Sequence, residues 1–231
     1  MSGEKISVII PCYNVKDMVS ECLDSIVDQT IGLEHLEIIL VDDASTDETV
    51  SVLKKYEEKY PDNIMLVLCK KNGRQGTARN IGLSYATGDF ISFVDSDDWI
   101  HPDMYKVLVD IMNKNECDVV QFRYMETKDK PEEMSRAIDN IDYRIVDYSC
   151  NRKENLLNSQ ILNESCTTKL YRKSLIDCAN LRYAEGVAYE EPMFTYPMKF
   201  YVNKAAVTET KLYYYRYNEK GTMLSYMNNP F

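Results

Sequence analysis

The chain has 231 residues, 45% of them hydrophobic and 11% aromatic; that suffices for one α/β domain with a sizeable core, or two small ones, and excludes a disordered chain. Its formal net charge of −10 excludes the broad basic surfaces that hold nucleic acid or an anionic membrane. Seven cysteines at 12, 22, 69, 117, 150, 166 and 178, with no C-x-x-C pair and no secretory leader, read as reduced thiols in a cytosolic chain, and no apolar run reaches membrane-spanning length.

Lys5 to Ile10 (KISVII), closed by Pro11, has the β-branched character of a fully buried strand. Met18, Val19, Cys22, Leu23, Ile26 and Val27 then recur at helical spacing. Leu36 to Val41 (LEIILV) predicts a second buried strand running into Asp42 and Asp43. Ser45 and Glu48 have the spacing of a capping box for a helix that Pro61 stops. A third strand is predicted over Ile64 to Leu68, a small-residue helix over Thr77 to Ala86 ended by Gly88, and a fourth strand over Phe90 to Val94. Pro102, at a first helical position, opens a helix carrying Met104, Tyr105, Leu108, Ile111 and Met112.

The later chain is less regular. Glu126 to Glu154 is charged and aperiodic and reads as a loop-rich excursion over one face; Leu156 to Leu162 resembles a helix. Thr168 to Ile176 reads as a strand or turn feeding a helix, and Glu190-Glu191-Pro192 precedes a partly aromatic helix. Thr210 to Tyr215 is the last predicted strand, and the ending Met227 to Phe231 reads as a cut through a longer protein.

Strands alternating with helices in this way predict a doubly wound, mainly parallel sheet, whose ligands bind outside the carboxyl ends of the strands. Pro11-Cys12-Tyr13, Asp42-Asp43 and Asp95-Ser96-Asp97-Asp98 all fall at such ends. Strand side chains alternate faces, so Asp95 and Asp97 are expected to leave the strand end on the same side. Two carboxylates that close repel unless a cation lies between them, and hard oxygen ligands suit Mg²⁺ or Mn²⁺ carrying a substrate phosphate. An acidic turn with Asp98 as a cap is the plainer reading of that stretch alone. Neither a G-x-G-x-x-G fingerprint after the first strand nor a P-loop lysine motif is present, which speaks against a dinucleotide or ATP hydrolysis.

In order and spacing, several blocks resemble the family 2 inverting glycosyltransferases of the GT-A fold. They are S-V-I-I-P-C-Y-N, V-D-D-A-S-T-D-E-T, N-G-R-Q-G-T-A-R-N-I-G-L, A-T-G-D-F-I-S-F-V-D-S-D-D-W, K-L-Y-R, E-G-V-A-Y-E-E-P-M-F and Y-Y-Y-R. The likeness runs from Ile6 to about Ser225 and points to the bacterial cell-envelope polysaccharide and teichoic-acid type. It implies a nucleotide-diphospho-sugar-binding half over residues 1–125 and a smaller acceptor-side subregion over 126–231 of the same domain. The implied donor is a nucleotide sugar, with a UDP-sugar foremost. The implied acceptor is a hydroxyl of a glycan, a polyol-phosphate polymer or a lipid-linked chain. The implied cofactor is Mn²⁺ or Mg²⁺. The implied location is cytoplasmic, extending to the inner face of the cell membrane, with membrane contact only through regions outside this chain.

Residue by residue, the resemblance puts Pro11, Tyr13 and Asp43 on the donor's base. Tyr13 would stack on a pyrimidine, and Asp43 would accept the uracil ring N–H, since a carboxylate that only accepts selects an edge that donates. Arg74 and Arg79 are candidates for the ribose or diphosphate, with Arg216 in a late segment that closes on the diphosphate. Asp95 and Ser96 would meet the ribose side of the donor, with Asp97, and Asp95 beside it, on the metal; Asp98 would brace the loop and Trp99 would pack. The family draws its base from the Asp of a Glu-Asp pair. Here the pair is Glu190-Glu191, so Glu191 takes the base position with one methylene more, and a shift of about 1 Å can cost roughly a hundredfold in rate. The plainer readings are a core Tyr13, an Asp43 that starts a turn, solvent-exposed arginines, and acids favoured at a helix start before Pro192. His35 and His101 lie outside these clusters and read as solvent or capping residues.

Three rival functions fit parts of the pattern. A sugar nucleotidyltransferase needs a glycine-rich phosphate loop where this chain has Pro11-Cys12-Tyr13-Asn14. A haloacid-type phosphatase needs its paired aspartates at the first strand. A non-catalytic nucleotide-sugar-binding module is the reading that Glu191, in place of Asp, keeps open.

Overall fold

The structure, a computed structural model, describes residues 3–131, 138, 140–149 and 162–217. Its organising strand is β1 (Ile6–Cys12), buried at every position. β2 (Leu36–Asp42) lies parallel on one edge of it, and β4 (Phe90–Phe93) lies parallel on the other. β3 (Ile64–Leu68) pairs parallel outside β2. The strand order 3-2-1-4 changes direction between β1 and β4, so their carboxyl ends open on a topological switch point.

Side-chain alternation sorts the core into two layers. Ile6, Val8, Ile10, Ile38 and Leu40 pack with Leu23 of α1 (Val19–Val27), Leu53 of α2 (Thr49–Lys59) and Leu108 of α4 (Met104–Asn115). Ile9, Ile39, Val41, Ile91 and Phe93 face the other way. They pack with Ala78 of α3 (Arg74–Tyr85), Ile176 of α5 (Lys173–Cys178) and Phe194 of α6 (Glu191–Met198). α3 lies close on β1, because a Cβ on Gly82 would strike the Ile9 side chain; one on Gly76 would strike the Ala184 carbonyl oxygen. Glycine at those two positions sets how near the helix comes to the sheet and to the segment before α6.

Beyond β4 the sheet becomes mixed. β8 (Lys169–Arg172) pairs antiparallel with β4 and with β6 (Val119–Thr127). β9 (Lys204–Arg216) runs parallel to β6, takes β7 (Tyr143–Asp147) antiparallel along its first residues, and takes β5 (Trp99–Ile100) antiparallel near its end. β9 thus returns from the far side of the sheet to the turn that leaves β4. The α/β doubly wound expectation holds, with its parallel part confined to the first four strands.

Several local expectations change. β1 continues through Pro11, because the last β1–β4 pair is Ile9 with Phe93, and the missing N–H falls past that edge. The capping box does not form. α2 starts at Thr49, Ser45 Oγ instead accepts the Asn14 N–H at 3.0 Å, and Asp47 Oδ1 accepts the Thr49 N–H at 2.9 Å. α4 begins at Met104, two residues after Pro102, with the Asp103 N–H donating to a buried His101 Nδ1 at 3.1 Å. The last strand is longer than predicted, and β6 and β7 order part of the supposed loop region. Apart from Leu162, the helix expected over 156–162 lies outside the described residues, as does the segment after Tyr217. Among the described residues no helix is long and apolar enough to cross a membrane, and six cysteines are free thiols.

Candidate active site

The ends of β1 and β2 are laced into one rim. Thr46 N–H donates to Asn14 Oδ1 at 2.8 Å and Val15 N–H to Thr49 Oγ1 at 2.8 Å. Pro11 is buried beneath the rim, while Tyr13 stands on it 46% exposed, a ring face open to a planar ligand. Asp43 continues the Ile39–Val41 face toward α3, and its carboxylate is already engaged. Oδ1 accepts the Gly73 N–H at 2.8 Å and Oδ2 the Arg74 N–H at 2.7 Å. A carboxylate at a helix start meets unpaired amides and a favourable dipole, so Asp43 places α3. Each oxygen keeps one lone pair for a further donor. Arg74 takes a left-handed φ of 69° at that corner, with an exposed side chain. Asp42 accepts the Ser45 N–H through Oδ2 at 3.0 Å. Its buried Oδ1 has no hydrogen-bond partner among the described residues, an unmet acceptor beside the same rim.

The acidic stretch is a turn. β4 ends at Phe93, and the Asp98 N–H closes back on the Asp95 carbonyl oxygen at 3.1 Å. Strand alternation therefore does not bring Asp95 and Asp97 together, as expected from the sequence; the turn does. Asp98 is fully buried, its Oδ2 accepting the Tyr213 hydroxyl at 2.6 Å and its Oδ1 the Arg216 N–H at 2.8 Å. It braces the turn against β9. Ser96 is buried beside the Cys12 thiol. Arg216 donates through Nε to the Asp97 carbonyl oxygen at 2.8 Å and through a terminal nitrogen to Glu21 at 2.7 Å. In this geometry it supports the turn.

Asp97 and Asp95 keep half-buried side chains. Burial, and after it the charge of Asp95, raises the Asp97 carboxyl to about 6, the signature of acids packed without enough countercharge. Among the described residues no three His, Cys, Asp or Glu side chains surround a common metal position. Two carboxylates alone would hold Mg²⁺ or Mn²⁺ only with water and ligand oxygens filling the other positions, which is how those cations are commonly bound.

Arg79 joins this turn to α6. Its guanidinium is 1% exposed, donates to Asp95 Oδ1 at 2.8 Å, and forms an ion pair with Glu190. Its terminal nitrogens are thus committed to two carboxylates, and it reaches the site through them. Glu191, the next residue, is half-buried and accepts the Cys166 N–H on Oε1 at 2.8 Å, with acceptor capacity left on Oε2. Beneath both lies an aromatic cluster in which Phe93 meets Tyr171, Tyr183 and Phe194 edge-on and Tyr183 stacks on Phe194 at 4.3 Å. Sequence reasoning missed the bridging by Arg79, since 111 positions separate it from Glu190. It also missed Tyr213, whose hydroxyl accepts the Asp95 N–H at 3.0 Å while donating to Asp98; the repeated tyrosines of that strand were the signal available.

An open α/β sheet with a carboxylate turn at its switch point is a frame for phosphate-bearing ligands held through a cation. The family model for glycosyl transferase family 2 matches residues 7–179, and the chain belongs to that family. A poly(ribitol-phosphate) beta-glucosyltransferase of Bacillus spizizenii is 31% identical over 96% of this chain and 33% of its own length. TarS, the poly(ribitol-phosphate) beta-N-acetylglucosaminyltransferase of Staphylococcus aureus, is 29% identical over 96% of this chain and 37% of its own length. A crystal structure of TarS residues 1–349 in complex with UDP-GlcNAc superposes with a TM-score of 0.79 at 29% identity, covering 96% of this chain and 60% of that one. A mannosyltransferase of Pyrobaculum calidifontis, in complex with GDP-Man and Mn²⁺, shares the fold at a TM-score of 0.69 and 18% identity, covering 94% of this chain and 58% of that one. The chain spans about a third of the length of the first two relatives.

Proposed function

We propose that this chain is the catalytic unit of an inverting glycosyltransferase. It moves a sugar from a UDP-sugar to a hydroxyl of a cell-surface glycopolymer, with a polyol-phosphate polymer as the favoured acceptor. One observation carries the reading: Arg79 ties Asp95 of the acidic turn to Glu190, the neighbour of Glu191, so the donor-side and acceptor-side acids form one rigid assembly at the strand ends. The relatives that act on poly(ribitol-phosphate), and the TarS complex with UDP-GlcNAc, support the substrate classes.

In this reading Tyr13 stacks on the uracil. The carboxylate rim, Asp43 with its spare lone pairs and Asp42 with its unmet Oδ1, accepts the ring N–H. Asp97 and Asp95 would hold Mn²⁺ or Mg²⁺, which when bound neutralises the charge growing on the departing diphosphate. Glu191, through Oε2, takes the proton from the acceptor hydroxyl as its oxygen attacks the anomeric carbon on the face opposite the leaving group. The Cys166 amide fixes the other oxygen of Glu191. Residues 1–125 then form the nucleotide-binding half and the later residues the acceptor side. A lipid-linked polymer would place the reaction at the inner face of a membrane.

The test is UDP release from UDP-glucose and UDP-N-acetylglucosamine, with Mn²⁺ and poly(ribitol phosphate), and the anomeric configuration of the product read by NMR. Inverted product supports the proposal. Tight UDP binding with no turnover for any sugar points instead to the non-catalytic binding module, and no UDP binding removes both.

A further inference from the structure

Lys169 opens β8 with no exposed surface. Its Nζ donates to Asn163 Oδ1 at 2.6 Å and to the Ser165 carbonyl oxygen, and burial lowers its amine to about 7. The titratable groups that face it are Glu164 and Cys166 from the preceding loop, Glu191 from α6 and Lys199 just after that helix. A methionine would fill the same volume without desolvating a nitrogen. What the lysine adds is a pair of hydrogen bonds, available in either protonation state, that fold residues 163–165 around one atom.

The loop so folded grips α6 at two points. Cys166 N–H donates to Glu191 Oε1 at 2.8 Å, and Glu164 Oε2 accepts the Tyr196 hydroxyl at 2.7 Å. The loop's own start is held by β6, where Gln121 Oε1 accepts the Asn163 N–H at 2.8 Å. The rotamer of Glu191 therefore depends on an amide whose place depends on Lys169.

We propose that Lys169 is a positioning residue for Glu191: by pinning the Asn163–Cys166 loop it aims the Cys166 N–H at one oxygen of Glu191 and leaves the other directed at the acceptor. This rests on the reading of Glu191 as base. A glutamate carries one more rotatable bond than the aspartate the family uses there, so it has more freedom to lose, and a carboxylate left to wander costs rate rather than donor affinity.

The experiment measures UDP release from UDP-N-acetylglucosamine and UDP-glucose by the 231-residue chain, with Mn²⁺ and poly(ribitol phosphate), alongside calorimetric UDP binding. Lys169→Met is expected to lower kcat about tenfold while donor KM and UDP affinity stay within about twofold. In a Glu191→Gln background the same change is expected to cost nothing more, because the residue it positions no longer takes a proton. If Lys169→Met does not fold, Asn163→Ala carries the test, with a loss of about threefold confined to kcat. Equal losses in kcat and UDP affinity, additive losses in the double variant, or an unchanged kcat would overturn the proposal. Full activity of Glu191→Gln, or no turnover by the wild-type chain, would instead remove the base reading beneath it and the inference with it.

Discussion

The guanidinium carbon of Arg216 lies 3.8 Å from the centre of the Trp99 ring. Both side chains also donate to Glu21 Oε2, Arg216 at 2.7 Å and Trp99 through Nε1 at 3.2 Å. Arg216 thus clamps the acidic turn from outside while its own backbone N–H holds Asp98 from within. Trp99→Leu and Arg216→Ala are expected to weaken UDP–Mn²⁺ binding by similar amounts, roughly three- to tenfold, because each loosens the same stacked pair. Calorimetry well below both melting temperatures checks this. A far larger loss for Arg216→Ala would mean that the arginine leaves the clamp to bind the diphosphate itself.

Asp97→Ala is expected to lower metal-dependent UDP-sugar turnover by at least about a hundredfold, while relieving the burial and, after it, the repulsion by Asp95 that raise the Asp97 carboxyl. The variant should therefore fold at least as stably as the parent in the absence of metal. Activity near the parent's would take Asp97 out of the site.

Removing one partner of a buried ion pair strands the other, at a cost of about 3–5 kcal/mol. Arg79→Met strands two, Glu190 and Asp95, and urea unfolding should show a loss of that order, at the lower end because Asp95 is partly exposed. Arg79→Lys is expected to recover little of it, since one ammonium lacks the fork that reaches both acids. A lysine variant as stable as the parent would show that the bridging geometry is dispensable.

Tyr13→Ala is expected to cost about 1–2 kcal/mol of UDP affinity through lost stacking, with little change in unfolding free energy for a side chain already 46% exposed. An unchanged UDP affinity would leave Tyr13 outside the base site.

Lys169 provides the pH dependence. Its folded value, near 7, lies below its ordinary 10.5, so between those limits the unfolded chain holds a proton that the folded chain has lost. Its contribution to stability therefore rises with pH across that window, on the order of 1 kcal/mol per pH unit, and is flat below it. Urea unfolding of the parent minus that of Lys169→Met, followed from pH 6 to 9, should show an upward slope starting near 7. A flat difference would place the amine's folded value close to its ordinary one.

The first four strands were legible because their runs are almost wholly apolar, broken before their ends only by Ser7, Glu37 and Ser92, although Met65 and Leu68 leave β3 partly exposed. β9 was legible only in its later half, Thr210 to Tyr215, because Lys204, Glu209 and Lys211 interrupt its apolar pattern and a register irregularity falls between its pairs with Gln121 and Tyr124. Serine, threonine and two acids after β2 imitated a capping box, while the bonds to the Asn14 loop, distant in sequence, decided where α2 begins. The candidate acids were visible as residue types at strand ends. Their partners were not, since Arg79 meets Glu190 and Tyr213 meets Asp98 only after the sheet has closed.

The Arg79 bridge also bears on how halves of such proteins can be recombined. A chimera that takes its first 125 residues from one relative and the remainder from another would separate position 79 from position 190. Unless both donors carry the arginine and the glutamate together, one side of the graft inherits a buried charge with no counterpart. Exchanging the later part thus succeeds most readily when that matched pair travels as a single heritable unit.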